Sequence, residues 1–343
     1  MESSLCYSNG IEIGAEQARC LFYGVFLNSK ISTFIKIVVS VGLIIYLFSL
    51  VDLSQLGQYL VEADYLYLIF ALVLYMLAMV ANAVKWHILL EAQGVEVPLV
   101  AVIKYTFVGF FFNNFLPATV GGDLMRGYGL AKYTSRNTDS AVSVIVDRII
   151  GLMAFMGTAV ISAIVAVSLL GKSELKLVQT IAIITLVGLV VGFAMIVSQR
   201  LRTLFGRIFE IQVLRPLAPF YERISDAFGA YRHAYGALLN AFVAGLVTVI
   251  LTGFVDIAIV HGLHGTVEPI YIFLLNPIIA FVLLAPVSIG GIGVGQAAYI
   301  YFYGLVGMTT ELALALSIVK QAIVYLGSLP GGGFWVMRDK TPE

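Results

Sequence analysis

"NNFLPATVGGDLMRGYGLAKY" (Asn113–Tyr133) and "LLAPVSIGGIGVGQAAYIYFY" (Leu283–Tyr303) decide the fold, because both interrupt strongly apolar sequence in the same way. Each contains the phrase Pro-x-[Thr/Ser]-[Val/Ile]-Gly-Gly, at Pro117–Gly122 and at Pro286–Gly291. The proline lacks a backbone N–H and ends the preceding helix. The glycine pair permits the sharp turn that follows. The repeated phrase therefore predicts two broken helices in one chain.

Composition places these breaks in a membrane. Of the 343 residues, 60% are hydrophobic and only 12% are charged, whereas about a quarter of the residues in a soluble domain are charged. A helix of ~20 apolar residues crosses a bilayer core of ~30 Å, and several uncharged runs reach that length. The sequence lacks the short alternating segments typical of a membrane β-barrel. We therefore predict an all-α polytopic integral membrane protein.

Six uninterrupted segments are predicted to cross the membrane fully: Ile31–Val51, Tyr65–Leu90, Ala141–Leu170, Leu177–Ser198, Leu238–Gly262 and Thr310–Gly327. The segments that carry the phrase, Leu99–Tyr133 and Pro269–Tyr303, are each 35 residues long. A straight span needs ~20 residues, whereas two half-helices of ~15 residues and a turn fill this length. Each is therefore predicted to be a broken, re-entrant helical hairpin, with eight full spans as the alternative.

Loop charge predicts the orientation, because basic loops stay in the cytoplasm. The linker Gln199–Tyr235 holds six arginines and is predicted to be cytoplasmic. No Lys or Arg occurs between His233 and Val319, so the second hairpin is predicted to lie outside, as is the acidic loop Asp52–Asp64. The first hairpin is predicted to lie inside because basic residues flank it: Lys85, Lys104, Lys132 and Arg136. Lys172 and Lys176 fall outside in this scheme and count mildly against it.

Three full spans separate the two hairpins, and an odd number reverses their orientation. The sequence therefore predicts an inverted-topology repeat, an architecture shared by many secondary transporters. Both termini are predicted to be cytoplasmic, in the inner (cytoplasmic) membrane of a cell. The predicted organisation is a tail (1–30), a first membrane half (31–198), a basic amphipathic linker (199–235), a second membrane half (236–337) and a cytoplasmic tail (338–343).

The charge distribution limits the partners. A net charge of zero offers no basic surface for a nucleic acid. Arginines alternate with apolar residues in the linker, a pattern typical of an amphipathic helix on anionic lipid. The two cysteines, Cys6 and Cys20, both lie in the N-terminal tail and predict neither a disulfide framework nor a metal site. We expect no cofactor.

The repeated phrase also predicts a binding site. A half-helix that begins near Asp123, or near Gly293 in the second copy, presents unpaired N–H groups that favour an anion such as phosphate. Arg126 lies three residues after Asp123 on the same helix face, where it is placed to hold a lipid phosphate. The candidate substrate-binding residues are Asn113, Asn114, Pro117, Gly121, Gly122, Asp123, Arg126, Asp147, Arg148, Ser288, Gly290, Gly291, Gln296 and Lys320. Asp256, deep in the fifth span, is a candidate for energy coupling.

Simpler structural roles stand beside these assignments. The glycine pairs can serve close helix packing alone, and the arginines can anchor at headgroups. Asn113 and Asn114 can satisfy the broken backbone. Asp147 can neutralise Arg148 or pair with Arg126 across the bundle. Asp256 can be the counter-ion of Lys320.

Four stretches together resemble the lysylphosphatidylglycerol synthase transmembrane (flippase-like) family: "FFNNFLPATVGGDLMRGYGLAKY", "VDRIIGL", "APVSIGGIGVGQAA" and "SLPGGGFW". The resemblance covers roughly Ile31 to Met337. It implies lipid handling, because this membrane region of the two-part synthase is implicated in moving aminoacylated lipid between leaflets. The chain is expected to be a stand-alone member without the soluble synthase domain. It departs from the usual pattern at Gln296, where relatives have Glu, and at Lys320, near which they often have Arg.

Three hypotheses follow. The first is translocation of a lipid with a polar or phosphate headgroup, driven by a proton or substrate gradient because no nucleotide-binding loop is present. The second is an integral-membrane transferase that acts on a lipid-linked substrate, an enzyme that the lack of paired catalytic carboxylates disfavours. The third is a non-catalytic scaffold that binds lipid or a partner lipid-modifying enzyme.

Overall fold

A computed structural model describes residues 38, 40–115, 121–171, 174–197, 228–231, 234–284 and 291–337, and within these ranges the regular elements are all helical. Several predictions fall outside them. These concern the tail 1–30, nearly all of the linker, the tail 338–343, and the candidate residues Pro117, Ser288 and Gly290.

The helices follow one another in the order that the sequence predicts around each break. They are α1 (Ser40–Leu50), α2 (Leu53–Val61), α3 (Tyr65–Ala92), α4 (Leu99–Phe115), α5 (Gly121–Thr134), α6 (Asn137–Leu170), α7 (Glu174–Val197), α8 (Tyr235–Gly262), α9 (Pro269–Leu283), α10 (Val294–Gly304) and α11 (Thr310–Met337), with a short 3-10 helix at Phe228–Tyr231 before α8. Both broken segments are therefore pairs of short helices: α4 with α5, and α9 with α10.

Four helices in the described ranges are long and apolar enough to cross a membrane: α3, α6, α8 and α11. A fifth span results if α1 and α2, which meet at an angle of 94°, count as one. The predicted number of six full spans is not reached within these ranges. In the predicted span Leu177–Ser198, which α7 covers, the shorter stretch Gln179–Gly192 qualifies as an apolar helix.

The stretch Asp52–Asp64, predicted as an acidic loop outside the membrane, contains the helix α2. Its acidic residues cap helices. Asp52 Oδ1 accepts a hydrogen bond from the backbone N–H of Ser54 at 2.8 Å, and Asp64 Oδ1 accepts one from Leu66 at 2.9 Å. A side-chain oxygen before the first turn satisfies a backbone donor that has no partner within the helix. Acidic residues that suggested a solvated loop therefore mark helix starts.

The chain contains the same four-helix arrangement twice, as α3–α6 and as α8–α11. In each unit two long helices flank a broken hairpin, and the first long helix has 28 residues in both. These first helices, α3 and α8, pack antiparallel. The N–H of Asp64 at the start of α3 donates to the carbonyl of Gly262 at the end of α8 at 2.8 Å. At the other end, Tyr231 Oη donates to the carbonyl of Leu89 at 3.0 Å.

The two units also exchange partners. The first arm of one hairpin, α4, packs on α11 of the second unit, and the first arm of the other hairpin, α9, packs on α6 of the first unit. The α4–α11 contact explains "SLPGGGFW", because a Cβ built on Gly331 meets the carbonyl oxygen of Phe107 at 2.1 Å. Only glycine permits so close an approach. Each hairpin is thereby held between both units.

Glycines lie where the two arms of each hairpin meet. α4 ends at Phe115 and α5 begins at Gly121. A Cβ on Gly122 meets the carbonyl oxygen of Gly109 at 1.9 Å, so the two arms are in backbone contact. In the second hairpin Gly291 and Gly293 have φ angles of 77° and 86°, which side-chain-bearing residues rarely adopt. In the described residues, one helix therefore ends before each copy of the phrase and the next begins at or after its glycine pair.

The largest buried apolar cluster lies mainly in the second unit. Residues of α8 to α11, such as Ile259, Leu275, Tyr303 and Leu314, form it together with Ala71 of α3. Two smaller clusters lie in the first unit, around Trp86 and around Ile150. Several polar side chains are also buried, among them Lys85, Asp147 and Asp256.

Candidate functional site

A charged cluster lies where α5 meets α6. Arg126 Nη2 donates to Asp147 Oδ2 at 2.8 Å, and Arg126 Nε donates to Asp123 Oδ1 at 3.0 Å. All three residues are buried, with relative exposures of 5%, 2% and 9% for Arg126, Asp147 and Asp123. Asp123 therefore orients Arg126, as the spacing predicts. Of the two roles considered for Asp147, the structure shows the pairing with Arg126.

Two more cations join this cluster. Lys85, from α3, places its Nζ 3.2 Å from Asp147 Oδ1 and is 4% exposed. Arg148 does not pair with its neighbour Asp147 in the described contacts; its guanidinium donates to Asp123 Oδ2 instead. The side chain of Arg148 is 45% exposed. We name these five residues the first cluster. Three cations against two carboxylates give it one excess positive charge.

Trp86 fixes the orientation of the central arginine. Arg126 Cζ lies 4.7 Å from the centre of the Trp86 ring, a geometry in which a cation is attracted by the ring face. The indole N–H donates to Ser143 Oγ at 3.1 Å, and that hydroxyl donates to the carbonyl of Ser140. Sequence reasoning assigned no role to Trp86, because its contact with Arg126 depends on how α3 packs against α5 and α6.

Sequence reasoning also missed the role of Lys85. Its charge was counted as a basic flank that places the first hairpin inside, whereas the residue is buried in α3. A signal was present: a lone lysine in a long apolar helix requires a buried partner. The partner is Asp147, the acid of α6 that lies beyond its first turn, 62 residues further along the chain.

The two asparagines of α4 bond to backbone groups of other helices. Asn113 Oδ1 accepts a hydrogen bond from the N–H of Gly122 at 3.0 Å, so it caps the start of α5. Asn114 Nδ2 donates to the carbonyl of Val324 on α11 at 3.4 Å. For Asn113 the contact is the simpler structural role considered above, whereas Asn114 bonds to a helix that belongs to neither hairpin. Asn113 nevertheless also lines the cavity described below.

A second cluster lies in the other unit, at Asp256 and Lys320. Lys320 Nζ donates to Asp256 Oδ2 at 2.7 Å and to Asn276 Oδ1 at 3.1 Å. Tyr299 Oη donates to the same carboxylate oxygen at 3.1 Å. Asp256 is completely buried, so it is the counter-ion of Lys320. Asn276 and Tyr299 were not among the candidates, because neither residue type stands out within an apolar helix. We name these four residues the second cluster.

Gln296, a candidate for substrate binding, supports the second break. Its Oε1 accepts a hydrogen bond from the N–H of Gly293 at 2.7 Å. This bond satisfies a backbone donor at the start of α10, where the N–H groups have no partner within the helix. Gly291 lies in the same turn, where its carbonyl accepts from the N–H of Gly295 at 2.7 Å. Gln296 therefore acts on the backbone of this turn.

The two clusters repeat one another with opposite signs. In the first unit a lysine on the first long helix pairs with an acid on the last, Lys85 with Asp147. In the second unit the acid is on the first long helix and the lysine on the last, Asp256 with Lys320. Each ion pair thus connects the two long helices that flank the hairpin of its unit.

Both clusters border a single cavity of about 590 Å³. Its lining includes Lys85, Asp123, Arg126, Asp147 and Arg148 at one end and Asn276 and Lys320 at the other. On α6 the lining runs from Asp147 to Ser162, which corresponds to about 22 Å at 1.5 Å per residue. The cavity is therefore long relative to a bilayer core of ~30 Å.

The cavity reaches the outer surface of the helix bundle. Ile161 of α6 and Ile250 of α8 line it and are 63% and 48% exposed, respectively. Aromatic and aliphatic side chains, among them Phe155 and Phe273, also line the cavity. A mainly apolar cavity with charged residues at its ends and an apolar lateral opening suits an amphiphile better than a small polar solute.

Comparisons with known proteins agree with this architecture. The sequence profile of the family described as the lysylphosphatidylglycerol synthase TM region matches residues 33–331. A UPF0104 membrane protein of Pyrococcus horikoshii is 23% identical over 329 residues, which cover 90% of this chain and 97% of that protein. A UPF0104 membrane protein of Methanothermobacter thermautotrophicus is 24% identical over 311 residues, which cover 85% of this chain and 90% of that protein.

The long apolar helices and these relatives show a multi-pass membrane protein, and the profile match extends over both four-helix units and both broken hairpins. The chain belongs to the family of the lysylphosphatidylglycerol synthase transmembrane region.

Proposed function

We propose that the protein moves a lipid with an anionic headgroup across the cytoplasmic membrane. The observation that carries this proposal is the first cluster, a buried group of charges with one excess cation that borders a laterally open cavity. Charged residues inside a membrane are costly and mark substrate pathways. The family name supports a lipid as the substrate.

The chemistry of the first cluster fits a phosphate group. Arg126 and Arg148 present guanidinium groups, which bind phosphate through two parallel hydrogen bonds. Arg148 is the accessible one, since nearly half of its side chain is exposed, while Asp123 and Asp147 hold Arg126 in place. An anionic headgroup would compete with Asp123 for Arg148 and compensate the excess charge. This exchange leaves no cation unpaired at any stage.

The lateral opening fits the hydrocarbon part of the same molecule. With the headgroup in the cavity, the chains would leave between α6 and α8, past Ile161 and Ile250. They would then remain in the bilayer, where burial of each CH₂ group is worth about 0.8 kcal/mol. The cavity needs to shelter only the headgroup, and 590 Å³ falls within the range of pockets for small molecules.

An inverted repeat would supply the crossing path. Its support is the antiparallel packing of α3 on α8, the exchange of hairpin partners, and the reversed ion pairs. The first hairpin would face the cytoplasm and the second the outside, with both termini cytoplasmic. The basic linker 199–235 would rest on anionic lipid and offer a position for a lipid-modifying partner enzyme.

The experiment uses full-length protein in phosphatidylcholine vesicles that contain a trace of fluorescent phosphatidylglycerol. Reduction by dithionite outside the vesicles reports the lipid that reaches the outer leaflet. The wild type should expose the inner lipid, and Arg126→Gln should slow this at least tenfold because it removes the centre of the first cluster. Arg136→Gln is the matched control, since Arg136 is exposed and bonds only outside the cavity, to Gly94 and Asp139 in the described contacts.

The outcomes separate the three hypotheses. Lipid movement that requires Arg126 supports translocation. Chemical conversion of the labelled lipid without movement indicates a transferase. Binding of the vesicle lipid with neither movement nor conversion leaves a scaffold and refutes the proposal.

A further inference from the structure

The structure assigns to Asp256 and Lys320 the role of a proton-exchanging anion site, in which an anionic headgroup takes Lys320 while Asp256 takes a proton. This inference rests on the proposed function and adds to it a second binding station and a source of energy. Its basis is the geometry of the second cluster, where a lysine faces the cavity and its counter-ion lies behind it.

The lysine and the carboxylate differ in their access to the cavity. Lys320 lines the cavity and its side chain is 23% exposed, whereas the side chain of Asp256 is completely buried. A headgroup in the cavity can therefore reach the ammonium group but not the carboxylate. When the ammonium group turns towards the headgroup, it leaves the carboxylate without its counter-ion.

A buried carboxylate cannot remain charged alone. Transfer of an isolated charge into a medium of low dielectric costs so much that the group binds a proton instead. The remaining neighbours of Asp256 do not replace the lysine: Tyr299 donates one neutral hydrogen bond to Oδ2, and Oδ1 has no hydrogen-bond partner in the described part of the chain. Oδ1 is thus an open position for the proton.

The surroundings supply no other charge to compensate. Among the described residues, the titratable groups that face Asp256 are Lys320 of α11 and the phenols Tyr299 and Tyr303 of α10; Asn276 of α9 is neutral. Both phenols are neutral donors at ordinary pH. The sole cation of the second cluster therefore has two competing partners, the carboxylate and an anion in the cavity.

The second cluster lies at a different level of the cavity from the first. Gly245 lies beside Lys85, because a Cβ on it would be 3.8 Å from Lys85 Cδ, and the carbonyl of Thr252 accepts from Asn276. These two residues of α8 are seven positions apart, which corresponds to about 10 Å. Lys320 is therefore a separate station along the same cavity.

Charge and protons balance in this exchange. Before binding, the site holds an ammonium group and a carboxylate. Afterwards it holds an ammonium group paired with the lipid anion, and a carboxylic acid that carries one proton from the cavity. The O–H bond of the acid is the only covalent bond that forms. When the lipid and the proton are released on the other side of the membrane, the lysine pairs with the carboxylate again. Each anionic lipid moves with one proton.

The test uses the same vesicles with a trapped pH-sensitive dye and an imposed pH gradient. One proton per lipid predicts about tenfold enrichment of the labelled phosphatidylglycerol in the leaflet facing the alkaline side for each unit of the gradient. Asp256→Asn should leave the lipid evenly distributed and abolish the proton flux that the dye reports. Ser317→Ala is the control and should behave as wild type, because Ser317 lies on the same helix but bonds to the carbonyl of Leu314.

Each outcome is decisive. Without lipid movement by the wild type in any condition, the proposed function itself fails. If the wild type moves lipid but the distribution ignores the gradient, the proton exchange is refuted while translocation stands. Enrichment that persists in Asp256→Asn also refutes it. Should that variant not fold, the double variant Asp256→Asn with Lys320→Gln replaces the ion pair with neutral groups. The dye signal of the wild type also measures the proton flux directly, without any variant.

Discussion

Replacement of Gly331 by alanine should weaken the contact that joins the two units. A Cβ at this position falls 2.1 Å from the carbonyl oxygen and 2.4 Å from the carbonyl carbon of Phe107, both backbone atoms that no rotamer change can move. α4 and α11 must therefore separate. Overpacking of this kind costs about 1–3 kcal/mol and sometimes more.

The same helix offers a matched control two residues later. A Cβ on Gly333 meets only the end of the Met337 side chain, at 4.0 Å. Both substitutions gain the same helix propensity, about 1 kcal/mol. The difference between Gly331→Ala and Gly333→Ala therefore isolates the contact with Phe107, and we expect Gly331→Ala to be less stable by about 1–3 kcal/mol.

Unfolding of the purified protein by SDS in mixed micelles, followed by far-UV circular dichroism, measures this difference. Comparing the two variants at one detergent composition avoids a long extrapolation. Because α4 is the first arm of the hairpin, Gly331→Ala should also slow lipid movement. Equal stability of the two variants, or greater stability of Gly331→Ala, would show that α4 and α11 do not approach as described.

Two further substitutions test the first hairpin. Asp147→Asn removes the carboxylate that pairs with both Arg126 and Lys85, and the loss of a buried counter-ion should lower the free energy of unfolding by about 3–5 kcal/mol; an unchanged unfolding curve in the same micelles would contradict this pairing. Gly122→Ala places a Cβ 1.9 Å from the carbonyl oxygen of Gly109 and should displace α5, with loss of lipid movement in the vesicle assay. Normal transport by that variant would show that the arms need not touch.

The breaks could be predicted from the sequence because their causes are local. A proline ends a helix and a glycine pair permits a turn whatever surrounds them. The starts of α5 at Gly121 and of α10 at Val294 consequently lie within a few residues of the predicted positions. The spacing of Asp123 and Arg126 was equally informative, because both lie on one helix face.

The partners across the bundle could not be predicted, since they depend on which helices meet. Lys85 and Asp147 are 62 residues apart, and Asp256 and Lys320 are 64 apart. Sequence reasoning proposed the second pair, because few other charges are available in that half of the chain. It counted the first lysine as a basic flank of the first hairpin, because charge near the end of an apolar run resembles an interfacial flank.

The reversed ion pairs explain how one architecture can treat its two sides differently. Either arrangement of the ion pair holds the two long helices of a unit together equally well, because the attraction within a pair does not depend on which helix carries the cation. A ligand in the shared cavity, however, meets three cations with two buried carboxylates at one end and a single lysine at the other. Under the proposed function the first cluster gives up only the contact between Arg148 and Asp123 when it captures an anion, because Asp123 and Asp147 keep their bonds to Arg126.

The second cluster cannot bind an anion in that way, because its one cation must leave its only carboxylate. An anion therefore binds to the second cluster more weakly unless Asp256 takes up a proton. This dependence on protons gives lipid movement a direction in a proton gradient. If Asp256→Asn made the second cluster bind anions independently of pH while leaving the first cluster unchanged, the asymmetry between the two ends would be reduced. Lipid would then equilibrate between leaflets regardless of any proton gradient.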